Sequence, residues 1–238
     1  HLWTSFWDFV FAGASILLAI FFGAALGNVV RGVPLDATGY FFEPLFTDWT
    51  TTGATGILDW FTVLSGVVSL VALSVHGANY LAHKTKGEMN ARARRVVSLA
   101  WYALVLVTIA SLAGVMVVRP HILDNYFYLP IGWIIPLFVA ASLGAIKYFN
   151  AKGNDKFAFV ASSAYLAMML GGAVYGLYPN VLPALDPAFS LTIHNAKAGA
   201  YGLSAGLIWW PIGILIALGY FAFLFRTFKG KVAVDDPH

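Results

Sequence analysis

Six stretches of this chain are each long and apolar enough to cross a bilayer, and that decides what it can fold into. A hydrocarbon core about 30 Å thick takes ~20 apolar residues at a rise of about 1.5 Å each. The candidate spans are 6–30, 58–82, 97–118, 130–149, 157–177 and 204–226. Of the 238 residues, 60% are hydrophobic and 11% charged, against about a quarter charged in a soluble domain. Within lipid each backbone polar group must be satisfied inside its own segment, so helices are the expected element. The reading is all-α: one polytopic transmembrane helical bundle over residues 1–232, followed by a short tail at 233–238.

Residue usage agrees with that class. The chain has 23 Gly and 10 Pro, both commoner in membrane helices than in soluble ones. Gly23, Ala24, Ala25 and Gly27, and again Gly171, Gly172 and Gly176, are small enough to let helices approach closely. Pro136 and Pro211 read as kinks in the fourth and sixth spans. There is no cysteine, which rules out disulfides and thiolate metal sites. The net charge of +3 does not point to nucleic acid, because the basic residues form short clusters beside the spans rather than a basic domain.

The loops alternate in charge. Loop 83–95 carries Lys84, Lys86, Arg92, Arg94 and Arg95 against Glu88 alone, and the positive-inside rule places it in the cytoplasm. The segment after the fourth span is basic again, with Lys147, Lys152 and Lys156 against Asp155, and so is the end of the chain, with Arg226, Lys229 and Lys231 before Asp235 and Asp236. Loop 31–57 is acidic, with Asp36, Glu43 and Asp48 against Arg31, while loops 119–129 and 178–203 are nearly neutral. Both ends therefore face the cytoplasm. The external loops also hold the aromatic residues suited to the headgroup level, such as Tyr40, Phe41, Phe42, Phe46, Trp49, Tyr126, Phe127 and Tyr128.

An ionisable group at membrane depth is a functional candidate by default, and this chain has few. Asp8 and Asp59, at the starts of spans, complement the positive helix end. His76 is the one histidine within a span; His83, His121 and His194 lie in or beside loops, and His1 and His238 are terminal. Two-histidine haem ligation therefore lacks a partner at that depth, which leaves a single axial ligand or, more plainly, a hydrogen bond to a neighbouring helix. Asn79 lies nearly on the same face, so the two could share one interhelical contact. Trp209 and Trp210 sit too deep for an interface belt and are weak candidates, with His76 and Asn79, for lining a partner surface or a quinone or lipid groove. No nucleotide-binding, metal-protease or nucleophile-elbow motif occurs, so no catalytic residue and no metal ligand is assigned.

Four segments in order carry a resemblance: GAALGNVVRGVPLD from Gly23, HGANYLAHKTKGEMNARARR from His76, LYPNVLPALDPAFSLTIHNAKAG from Leu177 and FRTFKGKV from Phe225. Together they resemble subunit II of the cytochrome bd-type quinol oxidases, closest to the cyanide-insensitive branch. The resemblance implies a respiratory membrane complex that oxidises quinol and reduces dioxygen to water. In it, two haems b and one haem d belong to a partner, subunit I. Subunit II is a non-catalytic helical support that shields the haems, with a structural quinone or lipid in a groove and an additional small single-span subunit as further partners. Its place would be the cytoplasmic membrane of a bacterium or archaeon. The family typically has nine spans, and this chain matches the last six; with its His1 start, it reads as a chain cut at the front.

The matching motif residues are Asn28, Arg31, His76, Gly77, Asn79, Tyr80, Thr85, Gly87, Glu88, Tyr178, Pro179, Leu191, Thr192, Asn195, Gly230 and Lys231. Their expected roles are structural. Asn28 and Asn195 would cap helix ends, Gly87 would permit a tight turn, and Thr85 with Glu88 would close a capping box. The basic loop would attract anionic lipid heads. The competing class is a stand-alone small-molecule transporter, which demands a polar midplane site and internal symmetry. A haem-anchoring b-type cytochrome would need a second histidine.

Overall fold

The computed structural model describes residues 3–232. The tail at 233–238, with Asp235 and Asp236, and the terminal histidines His1 and His238 lie outside the described residues. The chain runs α1 Thr4–Arg31, α2 Trp60–Lys84 and α3 Gly87–Val118. Short 3-10 turns at Pro120–Leu123 and Pro130–Trp133 flank α4 Asp124–Tyr128. Then come α5 Ile134–Ala151, α6 Asp155–Leu177, a small hairpin of β1 Asn180–Leu182 and β2 Leu191–Thr192, and α7 Ala200–Thr227. Among the described residues, six helical stretches are long and apolar enough to cross a membrane: α1, α2, α3, Pro130–Ala151, α6 and α7. This is the polytopic helical bundle the hydropathy pattern implies.

Two boundaries move, each for a local reason. The basic segment expected as loop 83–95 is almost wholly helical, since only Thr85 and Lys86 separate α2 from α3. Its Ala, Arg, Glu and Met residues are good helix formers, so polarity there marks the end of lipid rather than the end of the helix. Gly87 turns the chain with φ +65°, as its position suggested. Pro136 lies in the first turn of α5, where no intrahelical N–H bond is lost, so it starts the helix instead of kinking it. Pro211 does sit inside α7.

The core joins α2, α3, α5 and α6 through Ala72, Val75, Ala78, Val97, Leu104, Val139, Ile146, Ala161 and Tyr165. Against this four-helix unit α1 lies on α2, and glycines set the spacing. A methyl group built on Gly66 would lie 2.9 Å from the Ile20 carbonyl oxygen, and one on Gly27 2.8 Å from Ser65 Cβ. In the fifth span, Gly172 and Gly176 are likewise crowded by Tyr126, Ile135 and Ile122, whereas Gly171 faces open space. By contrast α7 has no buried residue at all. It is tied at its ends: past its C-terminus Val232 pairs with Thr85, and on its N-terminal side the chain from Ala184 pairs with Val33 at the end of α1.

Replacing Gly66 with Leu should force α1 from α2 and lower stability by ~1–3 kcal/mol, read as a fall in thermal denaturation midpoint in detergent. The same change at Gly77, which has nothing within 4 Å, should leave the midpoint unmoved.

Candidate functional site

Polar side chains gather at three depths. At the end carrying the acidic loop, Arg31 closes α1 and is 3% exposed. All five of its N–H donors are matched. Nε reaches the Gly32 carbonyl at 3.2 Å, Nη1 the Gly56 carbonyl at 2.9 Å and Asp59, and Nη2 Asn28 Oδ1 at 2.8 Å and Glu43. Glu43 Oε1 also accepts from the Thr55 hydroxyl at 2.9 Å. Asp59 meanwhile caps α2: its Oδ1 accepts from the Phe61 and Thr62 amides at 2.7 and 2.8 Å, and the Thr62 hydroxyl accepts from the Asp59 amide. That is a capping box merged with an ion pair. One guanidinium thus pins α1, the loop 32–59 and the start of α2 to one another. Glu43 Oε2 is buried without a partner among the described residues.

Asn28, expected as a cap, does something else. Its Nδ2 donates to the Ala24 and Ile57 carbonyls, both at 2.9 Å, so it bridges α1 to the loop beside Arg31. Asp59 does complement a helix end, and adds the pairing with Arg31. Asp8 lies beyond the first turn of α1 and caps nothing. In the loop, the Thr38 hydroxyl and amide hold Asp36 below the ordinary carboxylate range, and Thr50 does the same for Asp48.

Mid-bundle, His76 meets α6: Nδ1 lies 2.9 Å from the Ser162 hydroxyl, and its ring stacks on Phe159 at 5.0 Å between centroids. The His83 ring stacks on the same Phe159 at 5.9 Å, and Tyr80 approaches it at 5.5 Å. Asn79 does not share this contact. Its Nδ2 returns to the Val75 carbonyl of its own helix, and its Oδ1 is buried without a partner among the described residues. Deeper in, the Thr108 and Tyr165 hydroxyls pair at 2.7 Å. Among the described residues no group of three or more His, Asp or Glu is placed to hold a metal ion.

At the basic end the hub is Asp155, 8% exposed at the start of α6. Oδ1 accepts from Arg94 Nε at 2.9 Å, and Oδ2 from Asn90 Nδ2 at 2.9 Å and Lys231 Nζ at 2.5 Å. Lys231 belongs to the strap after α7, which also pairs backbone with Lys84 and Lys86. The expected box of Thr85 and Glu88 does not form: the Thr85 hydroxyl donates back to the Leu81 carbonyl at 2.7 Å, and Glu88 is exposed. Asn195 caps no helix either; it closes the turn after β2, accepting from the Thr192 amide at 2.7 Å and donating to the Ser190 carbonyl at 3.0 Å. Trp209 and Trp210 are 72% and 73% exposed on α7, beside hollows lined by α7 alone.

Reasoning from sequence missed Glu43, Arg94, Asp155, Ser162 and the Thr108–Tyr165 pair. Local signals existed for some partners: Asn28 and Arg31 are three apart on one helix face, and Asp59 and Thr62 have capping-box spacing. Nothing local links Asp155 to Lys231.

Compared with known proteins, residues 1–228 match the family described as cytochrome bd terminal oxidase subunit II. A probable cytochrome oxidase subunit 2 of Haemophilus influenzae is 30% identical over 97% of this chain and 66% of its own length. The cytochrome bd-I ubiquinol oxidase subunit 2 of Escherichia coli K12 is 27% identical over 98% and 68%. The cytochrome bd ubiquinol oxidase subunit 2 of Bacillus subtilis is 23% identical over 100% and 67%. The chain thus spans about two thirds of the length of these relatives.

Replacing Arg31 with Ala would leave Glu43 and Asp59 buried and unpaired, and should cost ~3–5 kcal/mol. Lys in its place, with three donors on one centre, should recover less than half of that. Thermal denaturation of the two variants beside the parent chain measures both.

Proposed function

Because the chain belongs to the cytochrome bd terminal oxidase subunit II family, we propose that it serves as the non-catalytic membrane subunit of a quinol:dioxygen oxidoreductase. Its partner is a haem-bearing subunit I with two haems b and one haem d, and the complex oxidises quinol and reduces dioxygen to water in a bacterial or archaeal cytoplasmic membrane. The basic end with Arg94 and Asp155 faces the cytoplasm, so both chain ends do. The family match over nearly the whole chain is the observation that carries this reading.

The polar geometry supports a scaffolding role. Arg31, Asp59, Asp155, His76, Ser162, Thr108 and Tyr165 have their partners within the chain. Such groups hold helices and loops in register and leave the redox chemistry to the haems of the partner. What this chain supplies is shape: a four-helix unit, α1 against it, and a detached α7 whose aromatic surface shields the haem subunit or takes up a structural quinone or lipid. A stand-alone transporter would put these polar groups on a substrate path; here they pair with one another.

The decisive measurement is a dithionite-reduced minus air-oxidised visible spectrum of the complex purified through a tag on this chain. A far-red haem d band with b-type bands is expected; a featureless spectrum from an intact, partnerless chain would overturn the proposal. In the same complex His76→Ala should leave every haem band in place while costing ~0.5–1.5 kcal/mol of stability through the lost Ser162 bond. Loss of one haem signal from an assembled complex would make His76 a ligand instead.

A further inference from the structure

Where α3 and α5 meet near the basic end, a cation stands without an anion. Lys147 lies one turn before the end of α5, inside the stretch Pro130–Ala151 that is long and apolar enough to cross a membrane. Among the described residues it has no carboxylate partner. Aromatic rings hold it instead: Nζ is 4.1 Å from the centre of the Trp101 ring and 3.9 Å from that of Tyr102. Trp101 is fixed in turn, its Nε1 donating across the seam to the Leu143 carbonyl at 2.8 Å. These rings ease the burden of the charge but supply no counter-charge. Both Lys147 and Tyr102 are exposed on the outer side of the bundle.

The donor and acceptor roles at this point are settled by chemistry. Lys147 Nζ lies 2.7 Å from the Tyr102 hydroxyl oxygen, and an ammonium can only donate. Tyr102 is therefore the acceptor, and its own O–H stays free to donate. Lys147 keeps further N–H donors beside it. Toward the basic end the pattern repeats, since Asn150 Nδ2 donates to the Ser98 hydroxyl oxygen at 2.9 Å and leaves that hydroxyl free as well. Arg95, Ser98 and Tyr102 share one face of α3, and Arg95 too is exposed without a carboxylate partner among the described residues. A phosphate, with several acceptor oxygens and a full charge, matches this set. Toward the membrane interior the same face turns apolar, with Leu106 and Ile109 exposed four and seven residues beyond Tyr102. A free phosphate would use the donors alone; a phospholipid would use the donors and the apolar stripe together.

We propose that an anionic phospholipid binds at the α3–α5 seam, its phosphate held by Lys147 Nζ and the Tyr102 hydroxyl and its acyl chains lying along Leu106 and Ile109. No residue of α7 takes part. The site requires only that α3 and α5 span a membrane, so it stands or falls separately from the oxidase reading.

The test is native mass spectrometry of the intact complex, purified through a tag on this chain and exchanged into phosphatidylglycerol or phosphatidylcholine, with and without millimolar inorganic phosphate. One phosphatidylglycerol retained in preference to phosphatidylcholine, and not displaced by phosphate, is expected. K147Q, which removes the charge, and Y102F, which keeps the ring and removes only the hydroxyl, should each weaken its retention about fivefold. K156Q, which removes the same charge from an exposed position on α6 at that end, should leave it unchanged. Full retention in Y102F, or equal loss in K147Q and K156Q, would reduce the effect to general surface charge and overturn the site. Displacement by free phosphate, no preference between headgroups, or no retained lipid would overturn it too. The preference of the parent complex is read without any variant, so a K147Q chain that fails to fold does not shelter the proposal.

Discussion

A bilayer interior has no water to hydrogen-bond a stray polar group, so each such group that enters must bring its partner with it. The rest of this structure follows from that condition. Backbones meet it by forming helices. Side chains meet it in two ways here: by returning to the carbonyl one turn back, as Asn28, Thr85, Thr108 and the Nδ2 of Asn79 do, or by meeting a group on another element; Asn79 Oδ1 is an exception, buried without a partner among the described residues. The second kind gives the bundle its register. Arg31 is the fullest case, since a planar five-donor fork at a helix end can fasten a helix, a loop and the next helix start together. Its five matched donors explain why the loop 32–59, with little regular structure, is nonetheless fixed where it enters and leaves the membrane.

How far this was legible in the sequence depends on the range of each interaction. Hydropathy is local and additive, so the six spans emerge with small boundary errors. The largest error, at α3, arose because an apolar window ends where lipid ends, whereas Gly87–Val96 continues as helix in water or among headgroups. Capping was less legible. Thr85 and Glu88 have the spacing of a box, but the hydroxyl found the end of the preceding helix first. Asp59 and Thr62, with the same spacing, do form one, because the chain enters α2 extended at Asp59. The long-range partners, Glu43 for Arg31 and Lys231 for Asp155, left no trace in spacing, since only the tertiary fold brings them together. The motif residues quoted for the family resemblance do include Arg31, Asn28 and Lys231, each at the centre or edge of such a cluster.

The two ends of the molecule solve opposite electrostatic problems. At the acidic-loop end two carboxylates share a single guanidinium, and both are almost fully shielded from solvent. At the basic end Asp155 is flanked by Arg94 and Lys231, both about one third exposed, so that cluster remains open to the outside. A closed, fully bonded cluster fixes geometry and has no capacity left for a ligand other than at Glu43 Oε2. An open, cation-rich one can still bind. This asymmetry separates a structural lock from a surface that can recognise something.

The position of α7 ties these observations to function. A helix of 28 residues with no buried side chain is not held by packing against the other described residues; it is tied through Lys231 and Val232 on one side and the Val33–Ala184 pairing on the other. Tethered ends fix where such a helix crosses the membrane while leaving its flanks free. Trp209, Trp210 and the surrounding Ile and Leu residues are then a surface offered to whatever lies next in the bilayer. For a subunit whose proposed task is to support and shield a haem-bearing partner, that arrangement suits better than a tightly packed seventh helix. Within one chain the closed lock at Arg31 keeps the fold rigid, and the tethered, uncovered α7 keeps an apolar face available.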